Sequence, residues 1–518
     1  MDITQGLRRA GQIKPNGTST IFGERRRTWR ETEARVARLA GGLRKLGLAA
    51  GDRAAILALN SDRYFEYLLA VPMAAGAVVP LNIRLAAPEI QYILQDSGTQ
   101  ILFVDDRFVP MLQALEGQMP SVCHIIYLGD GPPPAGMHGY EDLLAAAPVA
   151  DALAGDDQLA GIFYTGGTTG KAKGVMLSHR NLVMNAANVI PAFGYDADTV
   201  YLHAGPMFHL ADGASTLAVT IVGGVHVFVP AFDPANVLAT VQRENVTHGL
   251  FVPTMINLLV NFPGIAGHDV STLKRIAYGA SPMPEAVLRK ALEVLPGVKF
   301  AHAYGMTEAA PLVTALDPRY TTLEGPDAPR SKSCGRAGYL VEVRIADLED
   351  REVPRGTVGE VQVRGPNVML GYWNMPELTA QALRGGWYHS GDGGTMDEDG
   401  FVYIVDRLKD MIITGGENVY SAEVENAIAA LDGVGEVAVI GIPDEKWGEA
   451  VHAIVVPRAG RTVTAEQVIA HCHTLIAGYK CPRGVSIRDE PMPLSGAGKI
   501  LKTTLRAPYW AGRTKRVN

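Results

Sequence analysis

Cysteine is scarce in this 518-residue chain. Cys123, Cys334, Cys472 and Cys481 stand apart, without the Cys-x-x-Cys spacing or neighbouring histidines of a zinc site and without the density of a disulfide framework. Their scatter fits a reducing compartment, and a cytoplasmic location is expected. Long apolar runs are also missing: no stretch approaches the roughly 18 apolar residues of a membrane-spanning helix. The opening Met1-Asp2-Ile3-Thr4-Gln5 lacks the charged-then-apolar pattern of a secretory signal. Nor is positive charge in excess. Lys and Arg number 47 against 54 Asp and Glu, a formal net charge of -7, which leaves no electrostatic footprint for nucleic acid; the short basic stretch at 513–516 does not alter this. What is present is the composition of a globular protein, 47% apolar and 19% charged. The length exceeds what one hydrophobic core supports, so at least two domains are expected.

Apolar residues Val36, Leu39, Leu43 and Leu46 recur at helical spacing within 28–46, and Gly47 supplies a stop. Residues 53–59 read as a buried strand, 64–75 as a helix, 77–81 as a strand, a helix follows from Pro88, and 101–104 is again a strand. This alternation predicts βαβ units and a parallel sheet. Gly131-Pro132-Pro133-Pro134 marks a surface loop. Beyond it, 177–188 reads as helix, 223–230 as strand and 234–244 as helix. From about residue 335 short strands such as 341–345 and 359–364 are separated by Gly and Pro turns, which predicts a small β-rich subdomain. A last unit of about 110 residues reads as helix 422–431, strands 434–442 and 452–456, and helix 466–476. The expected fold is α/β: a large domain over 1–408, with βαβ subdomains and the β-rich subdomain, and a small mobile α+β domain over 409–518.

The chemistry centres on Tyr164-Thr165-Gly166-Gly167-Thr168-Thr169-Gly170-Lys171-Ala172-Lys173-Gly174, which follows the apolar run 159–163. Glycines let a backbone approach a polyphosphate, hydroxyls donate to its oxygens and lysines offset its charge. The nucleotide-kinase loop requires four residues between its glycines and Ser or Thr after the Lys; here Ala172 follows Gly170-Lys171, so that version fails. A plain Gly/Thr surface turn is the alternative for this stretch taken alone. Further stretches occur in order: Tyr304-Gly305-Met306-Thr307-Glu308; Gly391-Asp392-Gly393 after Trp387-Tyr388-His389-Ser390; Asp406-Arg407-Leu408-Lys409-Asp410 leading into Gly415-Gly416-Glu417-Asn418; and Gly496-Ala497-Gly498-Lys499-Ile500.

Together, in this order and at these separations, the motifs resemble those of the adenylate-forming enzymes, the family of acyl-CoA synthetases, luciferases and peptide-synthetase adenylation domains. The resemblance extends to Gly51-Asp52-Arg53 and Val79-Pro80-Leu81-Asn82 and so covers nearly the whole chain. It implies an enzyme that transfers AMP from ATP to a carboxylate, releases pyrophosphate, and then lets a thiol displace AMP. The residue roles below follow from that resemblance. Thr165, Gly166, Gly167, Thr168, Thr169, Gly170 and Lys173 would cradle the β and γ phosphates, Glu308 would hold Mg2+, and Thr307 would contact the α phosphate. Gly279, Ala280, Ser281, Tyr304 and Gly305 would flank the adenine. Asp392 would accept the ribose hydroxyls with Arg407 beside it, and Lys499 would stabilise charge shared between carboxylate and α phosphate. Lys409 would be the pivot of the small domain. Gly415, Gly416, Glu417, Asn418 and Trp447 would border the path of coenzyme A. His209 would gate an acyl pocket running past Leu210, Gly279, Gly305, Pro311 and Leu312. His179 is expected to be structural. Two departures from the family pattern are Gly166, where Ser is usual, and Ala172, where Pro is usual.

Amino-acid-activating members carry Asp just after Phe in the stretch equivalent to Phe208-His209, so His209 argues against a peptide-synthetase role. The mostly apolar pocket lining favours a fatty or aryl acid over acetate or a dicarboxylate. The expected reaction is ATP-dependent ligation of a small carboxylic acid to CoA, in a chain that pairs with no nucleic acid and is compatible with a homodimer. Formation of an acyl-adenylate for another acceptor, and a non-catalytic nucleotide-binding protein on the same fold, are the alternatives; Lys499, Glu308 and Asp392 together favour the enzyme.

Overall fold

The helix over Trp29–Lys45 starts where its sequence provides a cap: Glu31 N donates to Thr28 Oγ1 (3.3 Å) and Thr28 N donates to Glu31 Oε2 (2.7 Å). Its apolar face, Val36, Leu39, Ala40 and Leu43, is fully buried. In this computed structural model the described residues are 1–165, 172–281, 283–407, 410–414, 417–444, 446–494 and 500–511, with Asp406, Arg407 and Asn418 described by backbone alone. They form two compact units: the first takes in Met1–Val343 and Val363–Tyr388, the second Arg344–Gln362 and the chain from His389 on. Leu408 and Lys409, where the domain boundary is expected, lie outside the described residues.

The first unit holds two mixed sheets. In the eight-stranded sheet the order is Gly371–Tyr372, Lys173–Ser178, Leu159–Thr165, Ala77–Pro80, Arg53–Leu57, Thr99–Val104, His124–Tyr127 and His138–Gly139. From Leu159–Thr165 onward each strand runs parallel to the next in this order, while Lys173–Ser178 is antiparallel to Leu159–Thr165. The nine-stranded sheet runs Arg336–Ala337, Leu312–Leu316, Lys299–Gly305, Arg275–Gly279, His248–Leu250, Val200–His203, Val225–Phe228, Thr18–Phe22 and Arg25–Thr28. One hydrophobic cluster draws on both: Ile56, Phe103 and Phe163 from the first, Tyr201, Phe228 and Ala277 from the second. The expected βαβ alternation is present, but the strand Thr18–Phe22 was not foreseen; it pairs in parallel with Val225–Phe228, some two hundred residues on.

One expectation is corrected. Leu177 and Ser178 do not begin a helix; they end the strand Lys173–Ser178, and the helix is His179–Phe193. Ser178 is its cap, with Asn181 N donating to Ser178 Oγ (3.1 Å) and Ser178 N donating to Asn181 Oδ1 (2.8 Å).

Most of a four-stranded sheet, ordered Glu342–Ala346, Gly359–Arg364, Tyr388–Met396 and Val402–Arg407, belongs to the second unit and is the β-rich segment expected after residue 335. The rest of that unit is a five-stranded sheet built on Gly448–Pro457 and Val434–Asp444, with helices Ser421–Ala429, Ala465–Leu475 and Lys502–Trp510. Among the described residues no helix is long and apolar enough to cross a membrane.

Candidate active site

Two neighbouring parallel strands of the nine-stranded sheet, Arg275–Gly279 and Lys299–Gly305, end side by side with Gly279 opposite Ala303. A Cβ at Gly279 would meet Ala303 O at 2.3 Å, and one at Gly305 would meet Pro311 O at 1.9 Å, so these close approaches admit only glycine. Ala280 turns the chain with φ of 67°. Ala280 and Ser281 are exposed and Tyr304 is half-buried. Carboxyl ends of strands in an open α/β sheet are where such sheets take ligands.

The turn that follows, Thr307–Ala309, is held from three sides. Buried Asn367 donates through Nδ2 to Ala309 O (2.7 Å) and Leu312 O (3.0 Å), while Leu312 N donates to Oδ1 of buried Asn185 (2.9 Å). Met369 N donates to Glu308 O (2.8 Å) and Tyr372 OH to Glu308 Oε1 (2.9 Å). Lys173 Nζ lies 4.8 Å from the Tyr372 ring centre, a cation–π contact. Lys173 is the ladder partner of Thr165, where the antiparallel strands Leu159–Thr165 and Lys173–Ser178 end and begin. Thr165, Lys173, Tyr372 and Glu308 are thus one connected group. Gly166, Gly167, Thr168, Thr169 and Gly170 lie outside the described residues.

In the second unit Asp392 is buried and its N donates to Ser390 Oγ (3.0 Å), whose hydroxyl donates to Val361 O (2.5 Å). Glu360 receives Gly391 N on Oε1 (3.0 Å) and His389 Nδ1 on Oε2 (2.7 Å), so this carboxylate sets the turn that carries Asp392. The strand ladder pairs Asp392 with Arg407, the two residues assigned to one ribose. Asp350, Glu360 and His389 group their ligand atoms within 4.8 Å of one another, as a metal site would. Gln362 already satisfies the group. Its oxygen accepts from Arg344 Nε (2.9 Å), which turns the two hydrogens of its amide nitrogen to Asp350 Oδ1 (3.0 Å) and Glu360 Oε2 (3.4 Å).

Lys409, Gly415, Gly416 and Lys499 lie outside the described residues. Glu417 is exposed in the strand Glu417–Val419, which also contains Asn418. Trp447 stands between two cations, Lys446 Nζ at 4.8 Å and the Arg483 guanidinium at 4.5 Å from its ring centre.

Half-buried His209, expected to gate the acid pocket, occupies the N-cap position of the helix Leu210–Val222 and packs against Phe208, ring centres 4.3 Å apart. Leu210 and Leu312 are buried and Pro311 is half-buried. His179 is buried and accepts from Ile3 N on Nδ1 (3.3 Å), and burial lowers its pKa, as suits a structural histidine. Sequence reasoning missed Tyr372, Asn185, Asn367 and Glu360. Asn367 lies in the turn after the strand Gly359–Arg364 and Tyr372 in the two-residue strand Gly371–Tyr372, so no helical or strand periodicity marks either.

The fold and the site define an α/β nucleotide-using enzyme. Residues 7–373 match the model of the AMP-binding enzyme family and residues 423–499 that of the AMP-binding enzyme C-terminal domain. The chain is 40% identical over 504 residues to a feruloyl-CoA synthase of an Amycolatopsis species, covering 97% of this chain and 98% of that one. It is 35% identical over 495 residues to the long-chain-fatty-acid–CoA ligase FadD13 of Mycobacterium tuberculosis, 94% of each. The crystal structure of ATP-bound MatB from Rhodopseudomonas palustris superposes with a TM-score of 0.87 at 32% identity, over 98% of this chain and 99% of that one. The chain belongs to the AMP-binding, adenylate-forming enzyme family.

Proposed function

We propose that this chain, an acyl- or aryl-CoA ligase of that family, joins an aryl acid of the hydroxycinnamate type to coenzyme A, with medium- and long-chain fatty acids as the next class. A carboxylate oxygen attacks the α phosphorus of ATP, the bond to the β-phosphate bridge breaks, and pyrophosphate leaves. The CoA thiolate then attacks the acyl carbon and AMP departs. The observation that carries this reading is the convergence of Glu308 and Lys173 on Tyr372. A hard oxygen ligand and a cation there sit at the ends of two elements with phosphate-binding motifs, and a half-buried carboxylate of this kind suits Mg2+. Mg2+ held by Glu308 would neutralise phosphate charge; Lys173, Thr165 and Thr307 would orient the polyphosphate for in-line attack. Asp392, fixed by Ser390 and Glu360, would accept the ribose hydroxyls with Arg407 nearby, and Tyr304 would stack on the adenine between Gly279, Ala280, Ser281 and Gly305. Lys499 would bridge carboxylate and α phosphate. Gly166, Gly167, Thr168, Thr169 and Gly170 would complete the phosphate cradle.

The thiol must reach the carbon that Lys499 attends, so one site serves two jobs in turn. Rotation about Lys409, with the small domain beginning at residue 409, would alternate them and bring Gly415, Gly416, Glu417 and Asn418 to the thiol path. Trp447 between Lys446 and Arg483 offers a ring and two cations to the anionic CoA nucleotide. The acid would lie beside His209, Leu210, Pro311 and Leu312. A cytoplasmic enzyme, with a homodimer as its assembly, completes the proposal. The test is ATP with a panel of ferulate, 4-coumarate, decanoate, palmitate, acetate and malonate, read by pyrophosphate release and by thioester formation with CoA. Aryl acids are expected to give both products fastest. Pyrophosphate without thioester would assign another acceptor, and neither product with any acid would overturn the reading.

A further inference from the structure

Behind the segment that carries His209 lies a chain of buried polar side chains that the reaction does not use. Tyr201 OH donates to Asp212 Oδ1 (3.1 Å), and His203 Nδ1 meets Asp212 Oδ2 at 2.7 Å. His203 Nε2 meets His226 Nδ1 at 2.9 Å, and His226 Nε2 meets Thr220 Oγ1 at 3.2 Å. Thr220 Oγ1 in turn lies 2.7 Å from Thr216 O. His203, Asp212, Thr220 and His226 are at most 1% exposed.

Counting protons along this chain places all but one of them. The Thr220 hydroxyl has one hydrogen, and the 2.7 Å contact to the Thr216 carbonyl requires it, since two oxygens at that distance without a proton repel. His226 Nε2 must therefore carry a proton to donate to Thr220. Burial lowers the pKa of His226 far below the usual histidine value, so the ring is neutral and its Nδ1 is an acceptor. His203 Nε2 must then donate to it, which leaves one proton for the 2.7 Å contact of His203 Nδ1 with Asp212 Oδ2. The His203 ring lies over Phe228, centres 4.5 Å apart and planes 17° apart, a face that favours that proton on the ring.

His203 and Asp212 bracket residues 204–211, and the middle of that segment is pinned separately. Asn60 donates through Nδ2 to His203 O (3.2 Å) and Gly205 O (2.8 Å), and Met207 N donates to its Oδ1 (2.9 Å). Asp212 N and Gly213 N both donate to His209 O (3.1 Å each), so the helix start that holds Asp212 also holds His209. We propose that His203 and Asp212 form a buried imidazolium–carboxylate staple that fixes the 204–211 segment and thereby sets which acids pass His209. The inference rests on the assignment of His209 to the acid pocket. His203 and Asp212 are positioning residues, acting through His209 and Phe208 without touching substrate.

Neutron diffraction of the deuterium-exchanged enzyme tests the charge state without any substitution. Deuterium on both His203 nitrogens and none on Asp212 is expected; a single deuterium on the His203 ring overturns the staple. Asp212→Asn tests its effect, with His209→Ala in parallel, through kcat/KM for ferulate and for decanoate and KM for ATP. The ferulate-to-decanoate ratio in Asp212→Asn is expected to shift about fivefold or more, with KM for ATP within about twofold of the unsubstituted enzyme. Equal loss with both acids, or no change while His209→Ala shifts the ratio, overturns the proposal. If neither variant shifts the ratio, the acid-pocket assignment of His209 fails and the staple's role falls with it.

Discussion

The nucleotide side and the acid side of this enzyme are built differently. Residues assigned to ATP sit at strand ends and in tight turns, and each is held by direct contacts of its own: Glu308 by Tyr372 and Met369, Asp392 by Ser390, whose turn Glu360 sets. Of the residues assigned to the acid, His209 and Leu210 sit on the 204–211 segment, whose ends and middle are held by Asn60, Asp212 and the histidines of two sheet strands. ATP is invariant, so its site can be written as short motifs. The acid varies between relatives, so its site is written in packing that is spread along the chain.

The largest expected effect breaks the two sides together. Lys499→Ala should slow acyl-adenylate formation on the order of 100-fold with every acid, because the charge proposed for it would act where carboxylate and phosphate share negative charge. Thioester formation from premade acyl-AMP should stay near the unsubstituted rate; single-turnover assays of the two half-reactions check this, and equal loss in both would remove Lys499 from the chemistry. Asp392→Asn comes next. Loss of a charged acceptor is worth about 1.5–3 kcal/mol, which should raise KM for ATP about tenfold or more and leave the ranking of acids unchanged in steady-state kinetics. Tyr372→Phe removes one hydrogen bond to Glu308. At about 1 kcal/mol this should cost about fivefold in kcat/KM for ATP, and no change at all would disconnect Tyr372 from the metal site.

The smallest effect concerns stability and should touch both sides alike. Burial, with Arg275 beside it, pushes His248 down to about 4, and burial lowers His302, His179 and His452. A folded value below the unfolded one, near 6.5, means that the contribution is complete above about pH 6.5 and is lost as pH falls toward 4. Tm measured at pH 7.5, 6 and 5 should fall by a few degrees across that range; a rise would reverse the sign of the argument.

Much of the fold was legible because its signals are local. The helix Trp29–Lys45 announces itself by apolar spacing and the Thr28/Glu31 cap, and Pro234–Glu244 and Gly359–Arg364 fall where periodicity puts them. The start of His179–Phe193 was misplaced because Leu177 continues the apolar pattern of either element; the Ser178/Asn181 cap and the pairing of Leu177 and Ser178 with residues 159–161 place it. The placement of Thr18–Phe22 beside Val225–Phe228 rests on a contact that no local pattern encodes. Of the residues assigned to the site, Glu308 and Asp392 are named from their motifs. Asn185, Asn367, Tyr372 and Glu360 are not, since each matters through a partner far away in the chain: Leu312, Ala309, Glu308 and Gly391. His203 and Asp212 read as unremarkable residues of a strand and a helix until the fold brings them within 2.7 Å.

The separation of the two sides is tested most directly by one crossed set of kinetics: Glu308→Gln and His209→Ala, each with ferulate and decanoate, and each with ATP varied at saturating acid. Glu308→Gln is expected to lower kcat/KM for both acids by the same factor and to alter the ATP and Mg2+ dependence. His209→Ala is expected to change the ratio between the acids and to leave KM for ATP within about twofold. A variant that moves both quantities, or a Glu308→Gln enzyme that changes acid preference, would contradict the account.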